Sequence, residues 1–386
     1  MEPTPDFVVD AARRMTGLHD FDSESFREGL EIYMADVAAE ERLTDSGLQR
    51  IIGQAVMQLA NRLQVDDWIR SHPDVLDAPV QAPLFVCGMP RTGTTLAIDL
   101  LHADPSRRCL INWEAKKSVP PPEPATFDSD PRLIALREQL APALAGMKAQ
   151  GLPIPHWEEA DDPTECIFVL AGDFRCLMWG SLIPCPRYNE WILETDAEPA
   201  YRYLERVLKV LQTNVKGRWT LKMPSHSLNL PSLKAVFPDA KVVVTHRDPY
   251  RTLGSLCSMI SGAHSMYMTE RDDDYVSDVY PAQLAAHAHR PMAYRDAHGD
   301  DDFLDVLYSD LVRDPIAQME RIYRFTGEEF TAEIQTGMRG VLERNPQNKH
   351  GAHRYDLAQF GLERSKLEAI FEPYRNRYEI PLEGGD

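Results

Sequence analysis

Along residues 44–63 the apolar positions Leu48, Ile51, Ile52, Ala55, Val56, Leu59 and Leu63 recur at three- and four-residue steps. They follow Thr44, Asp45 and Ser46, residues that favour helix starts, so the pattern predicts an amphipathic helix. Residues 1 to about 78 read as helical throughout, a prefix packed on the core. Beyond it the period changes. Short apolar runs bounded by turn residues fall at 84–87, 109–113, 219–222, 242–246 and 303–308, with helical stretches between them. Strands that alternate with helices predict a mostly parallel sheet covered on both faces. The expected organisation is a helical N-terminal extension, 1–80, and an α/β domain, 81–386. Residues 118–131 and 151–165 are rich in proline and acid and read as irregular surface loops, the places where α/β folds put substrates.

The first of these runs leads into the most informative segment, Gly88-Met-Pro-Arg-Thr-Gly-Thr-Thr95. A glycine-rich turn between a strand and a helix aims several backbone N–H groups and the positive helix end at one small volume, an anion cradle. The spacing from Gly88 to Gly93 matches a nucleoside-triphosphate loop, but Thr94 stands where that motif has lysine. Arg91 is the cation that the loop supplies instead, and its planar fork suits a tetrahedral oxyanion.

The segment Pro90-Arg91-Thr92-Gly93-Thr94-Thr95-Leu96 resembles the 5′-phosphosulfate loop of sulfotransferases that use 3′-phosphoadenosine 5′-phosphosulfate (PAPS). A second segment, Lys241 to Ser255, resembles that family's 3′-phosphate site, where a strand ends in an Arg-Asp-Pro turn and a serine follows two helical turns later. The likeness covers residues 82–360 and is greatest to bacterial members and the tyrosylprotein branch. It implies a P-loop NTPase-like three-layer α/β fold, PAPS as donor and PAP as product. It also implies that Arg91, Thr92, Gly93, Thr94 and Thr95 hold the 5′ end, and that Arg247 and Ser255 hold the 3′-phosphate. Lys222, in Leu-Lys-Met-Pro-Ser-His226, takes the place of the family lysine at the leaving phosphate. Glu114 stands roughly where the tyrosylprotein branch has a catalytic glutamate, and His226 competes with it as general base, with His156 or Glu159 as further choices. Lys349 and Arg354, in a basic loop before an apparent helix at 357–362, are candidates to close over the 3′-phosphate. Asp314 and Pro315 read as a helix start.

Sulfuryl transfer asks for positioning, charge stabilisation and removal of one acceptor proton. It needs no metal, and no acidic cluster reads as a metal site. A formal charge of -19 argues against a nucleic-acid or anionic-membrane partner. The six cysteines lack zinc spacing, and neither a cleavable signal nor an apolar run of about 18 residues occurs, so a cytoplasmic protein is expected. The expected activity is transfer from PAPS to a hydroxyl or amine of a small or lipid-like acceptor; a homo-oligomer stays open. The rivals are a P-loop kinase or NTPase and a noncatalytic protein of the same fold.

Overall fold

The computed structural model describes residues 4–149, 158–344 and 357–383. Five parallel strands form one sheet: β1 (Leu84–Gly88), β2 (Arg107–Cys109), β3 (Arg218–Lys222), β4 (Lys241–His246) and β5 (Phe303–Leu307), in the order β2-β3-β1-β4-β5. β1 lies at the centre, pairing Val86 with Lys222 on one side and Gly88 with Thr245 on the other. The strand ends that carry the candidate residues are therefore neighbours.

Both faces of the sheet are covered, and the alternation of side chains shows how. Phe85 and Cys87 of β1, with Val242 and Val244 of β4, join a large apolar cluster that includes the N-terminal helices. Leu84, Val86 and Val243 point the other way, into a cluster with Ala97, Leu100 and Leu101 of the helix Thr94–His102 and Met319 and Ile322 of the helix Pro315–Thr326. A strand buried on both faces needs apolar residues at every position, which is why β1 reads as an unbroken run.

The 44–63 pattern forms the helix Asp45–Ser71, capped by the Thr44 hydroxyl, which accepts from Gly47 N–H at 2.9 Å. Ile51, Ala55, Leu59 and Leu63 are fully buried. Truncating Leu59 there would cost about 2–5 kcal/mol, since the cavity left behind relaxes only in part. Where this helix begins, the N-terminal region is stitched to the sheet side. Leu43 bridges to Met268, Thr44 N–H donates to the Tyr267 carbonyl at 3.0 Å, and a Cβ on Gly47 would lie 2.0 Å from that carbonyl oxygen. Asp314 caps the helix that opens at Pro315, as its sequence predicts.

Two expectations change. The run 109–113 is not one strand: β2 ends at Cys109 and a short helix, Asn112–Lys116, follows. The run is continuously buried because Ile111 pairs with Pro163 between the two elements, and an apolar run alone cannot tell these states apart. Nor is the end of the 151–165 stretch a solvated loop. Ala160 is buried beside Trp113, Thr164 N–H donates to the Leu110 carbonyl at 2.8 Å, and Cys166 N–H donates to the Lys222 carbonyl at 2.9 Å. The chain is thus drawn across the ends of β2 and β3.

Candidate active site

The turn after β1 is built by close approach and by left-handed backbone. Gly88 has φ 144° and its missing Cβ would meet the Thr245 carbonyl oxygen at 2.3 Å; Gly93 has φ 93° and faces Tyr308 and Leu311. Arg91, at φ 67°, takes a conformation that a non-glycine residue seldom adopts, and such outliers persist where the surroundings fix them. Here three contacts do so. The Thr92 hydroxyl donates to the Met89 carbonyl at 2.7 Å and meets the Thr245 hydroxyl at 2.5 Å. The Arg247 guanidinium donates to the Arg91 carbonyl at 3.0 Å. The Arg91 side chain in turn donates through Nε to Ser255 Oγ at 3.1 Å. Thr94 is buried at the helix start, whereas Thr95 is exposed.

The turn after β4 is held by local capping. The Asp248 carboxylate accepts from Tyr250 N–H at 3.0 Å, Pro249 opens the helix Pro249–His264, and Ser255 lies buried on its second turn. Arg247 stacks over the Tyr308 ring at 4.0 Å. It forms a fork with the Glu383 carboxylate at 2.8 and 2.7 Å. Arg247 and Ser255, respectively 156 and 164 residues from Arg91, are therefore joined through it, Arg247 at its carbonyl and Ser255 at its side chain.

Lys222, at the end of β3, is 1% exposed and donates to Glu165 Oε1 at 2.9 Å. Burial opposes its charge, yet the carboxylates of Glu165, Glu158 and Asp99 outweigh that and hold the ammonium above its ordinary pKa. The same burial pushes the Asp99 carboxyl up to about 7 against the pull of Lys222, and raises Glu158 as well. Glu158 also accepts from the Thr164 hydroxyl at 2.6 Å. One buried cation surrounded by three acids can hold a proton close to neutral pH.

Glu114 and His226 are placed otherwise. Glu114 is fully buried with both carboxylate oxygens on Arg108, one at 2.9 Å, and Arg108 stacks between Trp219 and Phe127. His226 is fully buried behind Phe85, with Nδ1 at 2.7 Å from the Tyr201 hydroxyl, and burial drives its pKa down to about 3. Among the described residues, the side-chain hydrogen-bond partners of these two are Arg108 and Tyr201 and not Lys222. Glu159 is exposed and its carbonyl accepts from Asn112. Lys349, Arg354 and His156 lie outside the described residues.

Sequence reasoning missed Glu165, Glu158, Asp99, Arg108 and Glu383. For Arg108 a signal existed: two arginines inside a strand that ends in a buried cysteine demand a buried partner. For the others no local pattern marks the contact.

These elements have a counterpart among known proteins. Residues 83–332 match the model of the sulfotransferase family, and the chain belongs to that family. It is similar to sulfotransferase STF9 from Mycobacterium avium, with 40% identity over 99% of this chain and 98% of that one and a TM-score of 0.93. Sulfotransferase STF1 from Mycobacterium tuberculosis H37Rv is 28% identical, with a TM-score of 0.86 over 96% of this chain and 99% of that one. Among curated proteins, the omega-hydroxy-beta-dihydromenaquinone-9 sulfotransferase Stf3 of Mycobacterium bovis is 26% identical over 263 residues, 64% of this chain. The chain thus matches 62% of the length of that relative. No helix among the described residues is long and apolar enough to cross a membrane.

Proposed function

We propose that this chain is a PAPS-dependent sulfotransferase whose acceptor is the hydroxyl of a lipid-like molecule. The observation that carries the reading is that Arg91 contacts both Ser255 and Arg247, at the end of a strand whose neighbour bears buried Lys222 with Glu165. A nucleotide that is anionic at both ends fits such a pair of grips: the β1 turn takes the phosphosulfate on backbone N–H groups and Arg91, and Arg247 with Ser255 takes the 3′-phosphate. Lys222 then faces the leaving phosphate oxygen, where charge builds as the sulfuryl–oxygen bond breaks. PAPS supplies the sulfuryl group; the protein aligns it and disposes of one proton.

Glu165 is assigned as the base. It touches Lys222, its side chain is 25% exposed, and so it can meet an acceptor hydroxyl, whereas Glu114 is fully occupied by Arg108 and His226 is sealed in the core. The acceptor oxygen bonds to sulfur, the sulfur–phosphate oxygen bond breaks, PAP leaves with that electron pair, and the acceptor proton passes to Glu165. The lipid-like acceptor rests on the 26% identical relative, a sulfotransferase named for a hydroxylated dihydromenaquinone. The helical region 1–80 is proposed to act as a cover of the same unit. A cytoplasmic setting agrees with the six free, buried cysteines.

The test is calorimetric titration with PAP and ATP, followed by transfer from labelled PAPS to an ω-hydroxylated polyprenyl quinone. Binding of PAP in preference to ATP and a sulfated lipid product are expected. ATP binding with phosphoryl transfer would establish the kinase reading instead, and no binding of either the noncatalytic one.

A further inference from the structure

We propose that Glu383 is an internal competitor for the donor's 3′-phosphate, held at an anion site that Arg251 shares with Arg247; this rests on the donor reading above. Beyond the helix Arg364–Arg377 the chain reverses at Glu379, whose φ is 51°. Ile380 then anchors it, 4% exposed in the apolar cluster of Tyr250, Phe371 and Tyr374, with its N–H donating to the Arg375 carbonyl at 3.0 Å. Past that anchor the segment leads straight to the β4 turn. The Glu383 carboxylate receives the Arg247 fork at 2.8 and 2.7 Å, its carbonyl accepts from Arg251 Nε at 3.1 Å, and its N–H donates to Asp248 Oδ2 at 2.7 Å.

A carboxylate on an arginine fork makes the same two parallel hydrogen bonds that a phosphate makes. The Nε and Nη2 edge of Arg247 faces Glu383 while Nη1 also donates to the Arg91 carbonyl, so that edge can serve Glu383 or a phosphate but not both. Two anions at one guanidinium also repel. Phosphate entry at that edge therefore requires the carboxylate to leave, and the segment permits this: Leu382 is 41% exposed, and among the described residues the hydrogen bonds that hold Glu383 besides the fork are those to Asp248 and Arg251. When the carbonyl of Glu383 withdraws, the Arg251 Nε–H is released toward the incoming phosphate. Arg251 is thus a further 3′-phosphate ligand, two residues from the proline that opens its helix.

The experiment is titration of wild type, Glu383→Gln, Glu383→Asp, Arg251→Gln and Arg247→Ala with PAP and with AMP, which lacks the 3′-phosphate. Thermal melts check that each variant is folded. Loss of this partly exposed competing ion pair is expected to tighten PAP about two- to fivefold in Glu383→Gln and to leave AMP unchanged. Glu383→Asp restores most of the wild-type value, and Arg251→Gln weakens PAP alone. In wild type, hydrogen exchange at the Glu383 amide accelerates when PAP is added and not when AMP is added. Should Glu383→Gln bind PAP no tighter while Arg247→Ala loses PAP, the competition is overturned and the donor site stands. If Arg247→Ala binds PAP unchanged, the donor reading itself falls. Equal tightening of AMP and PAP would also overturn the proposal, because the effect would then lie outside the 3′-phosphate.

Discussion

The two halves of the site are built in different ways. The proposed donor half consists of two turns, after β1 and β4, each shaped by its own short segment: glycines and a left-handed arginine in one, an Asp-Pro cap in the other. The half around Lys222 has no local motif. Its lysine comes from β3, Asp99 from the helix Thr94–His102, and Glu158 and Glu165 from a stretch laid across β2 and β3. A cradle for an anion needs many weak donors in fixed relative positions, which one contiguous turn supplies. A proton site needs a few strong charges in low dielectric, and these come together only by tertiary folding.

The hardest blow to this contrast is aimed at the lysine. Lys222→Met is expected to lower turnover about 10²–10³-fold or more in single-turnover assays, with PAP affinity nearly kept. Loss of PAP affinity without loss of rate would move Lys222 into the donor half. Next comes the base. Glu165→Gln is expected to slow the chemical step about 10²–10⁴-fold. Glu114→Gln leaves Arg108 buried without a countercharge and is expected to cost about 3–5 kcal/mol of stability, with turnover per folded molecule preserved. Denaturant melts and active-site titration separate the two, and a reversal of the two phenotypes would make Glu114 the base. On the donor side, Arg247→Ala is expected to weaken PAP about 10- to 100-fold and AMP far less, as for a lost hydrogen bond to a charged group.

Acid stability probes the sealed histidine. His226 binds its proton with a pKa near 3 in the folded protein against 6.5 when unfolded, so between these values the unfolded chain holds more protons. Its contribution is complete above pH 6.5 and is lost as the pH falls toward 3. The stability advantage of wild type over His226→Gln is therefore expected to shrink on acidification through that window; a pH-independent difference would show that the ring does not titrate by burial. The smallest effect is that of Asp99. Its carboxyl is raised to about 7, so its ionisation costs stability as pH rises from about 4. Asp99→Asn is expected to gain on wild type over that range in melts taken from pH 5 to 8.

What the sequence made legible follows the same division. The β1 turn, the Arg-Asp-Pro turn, four of the five strands and the helix start at Pro315 all lie in segments whose residues interact with near neighbours, so spacing carries the information; β2, expected at 109–113 and found at Arg107–Cys109, is the exception. Glu165 and Glu158 sit in a proline- and acid-rich stretch that reads as solvated, and only its docking on Leu110 and Lys222 makes it part of the interior. Glu114 has the expected distance from the loop, but the guanidinium that occupies it comes from the preceding strand, across a turn that periodicity does not describe. Glu383 lies 136 residues from the arginine it meets.

One hydrogen bond gives the donor half a property that neither turn has by itself. Because Arg247 grips the main chain of Arg91, a group bound by the second turn braces the peptide that must present the first. On the proposed donor reading, free energy from the nonreacting end of the nucleotide would thereby be spent on alignment at the reacting end. A truncated donor would then be discriminated against in the speed of transfer more than in occupancy, which is selection by rate.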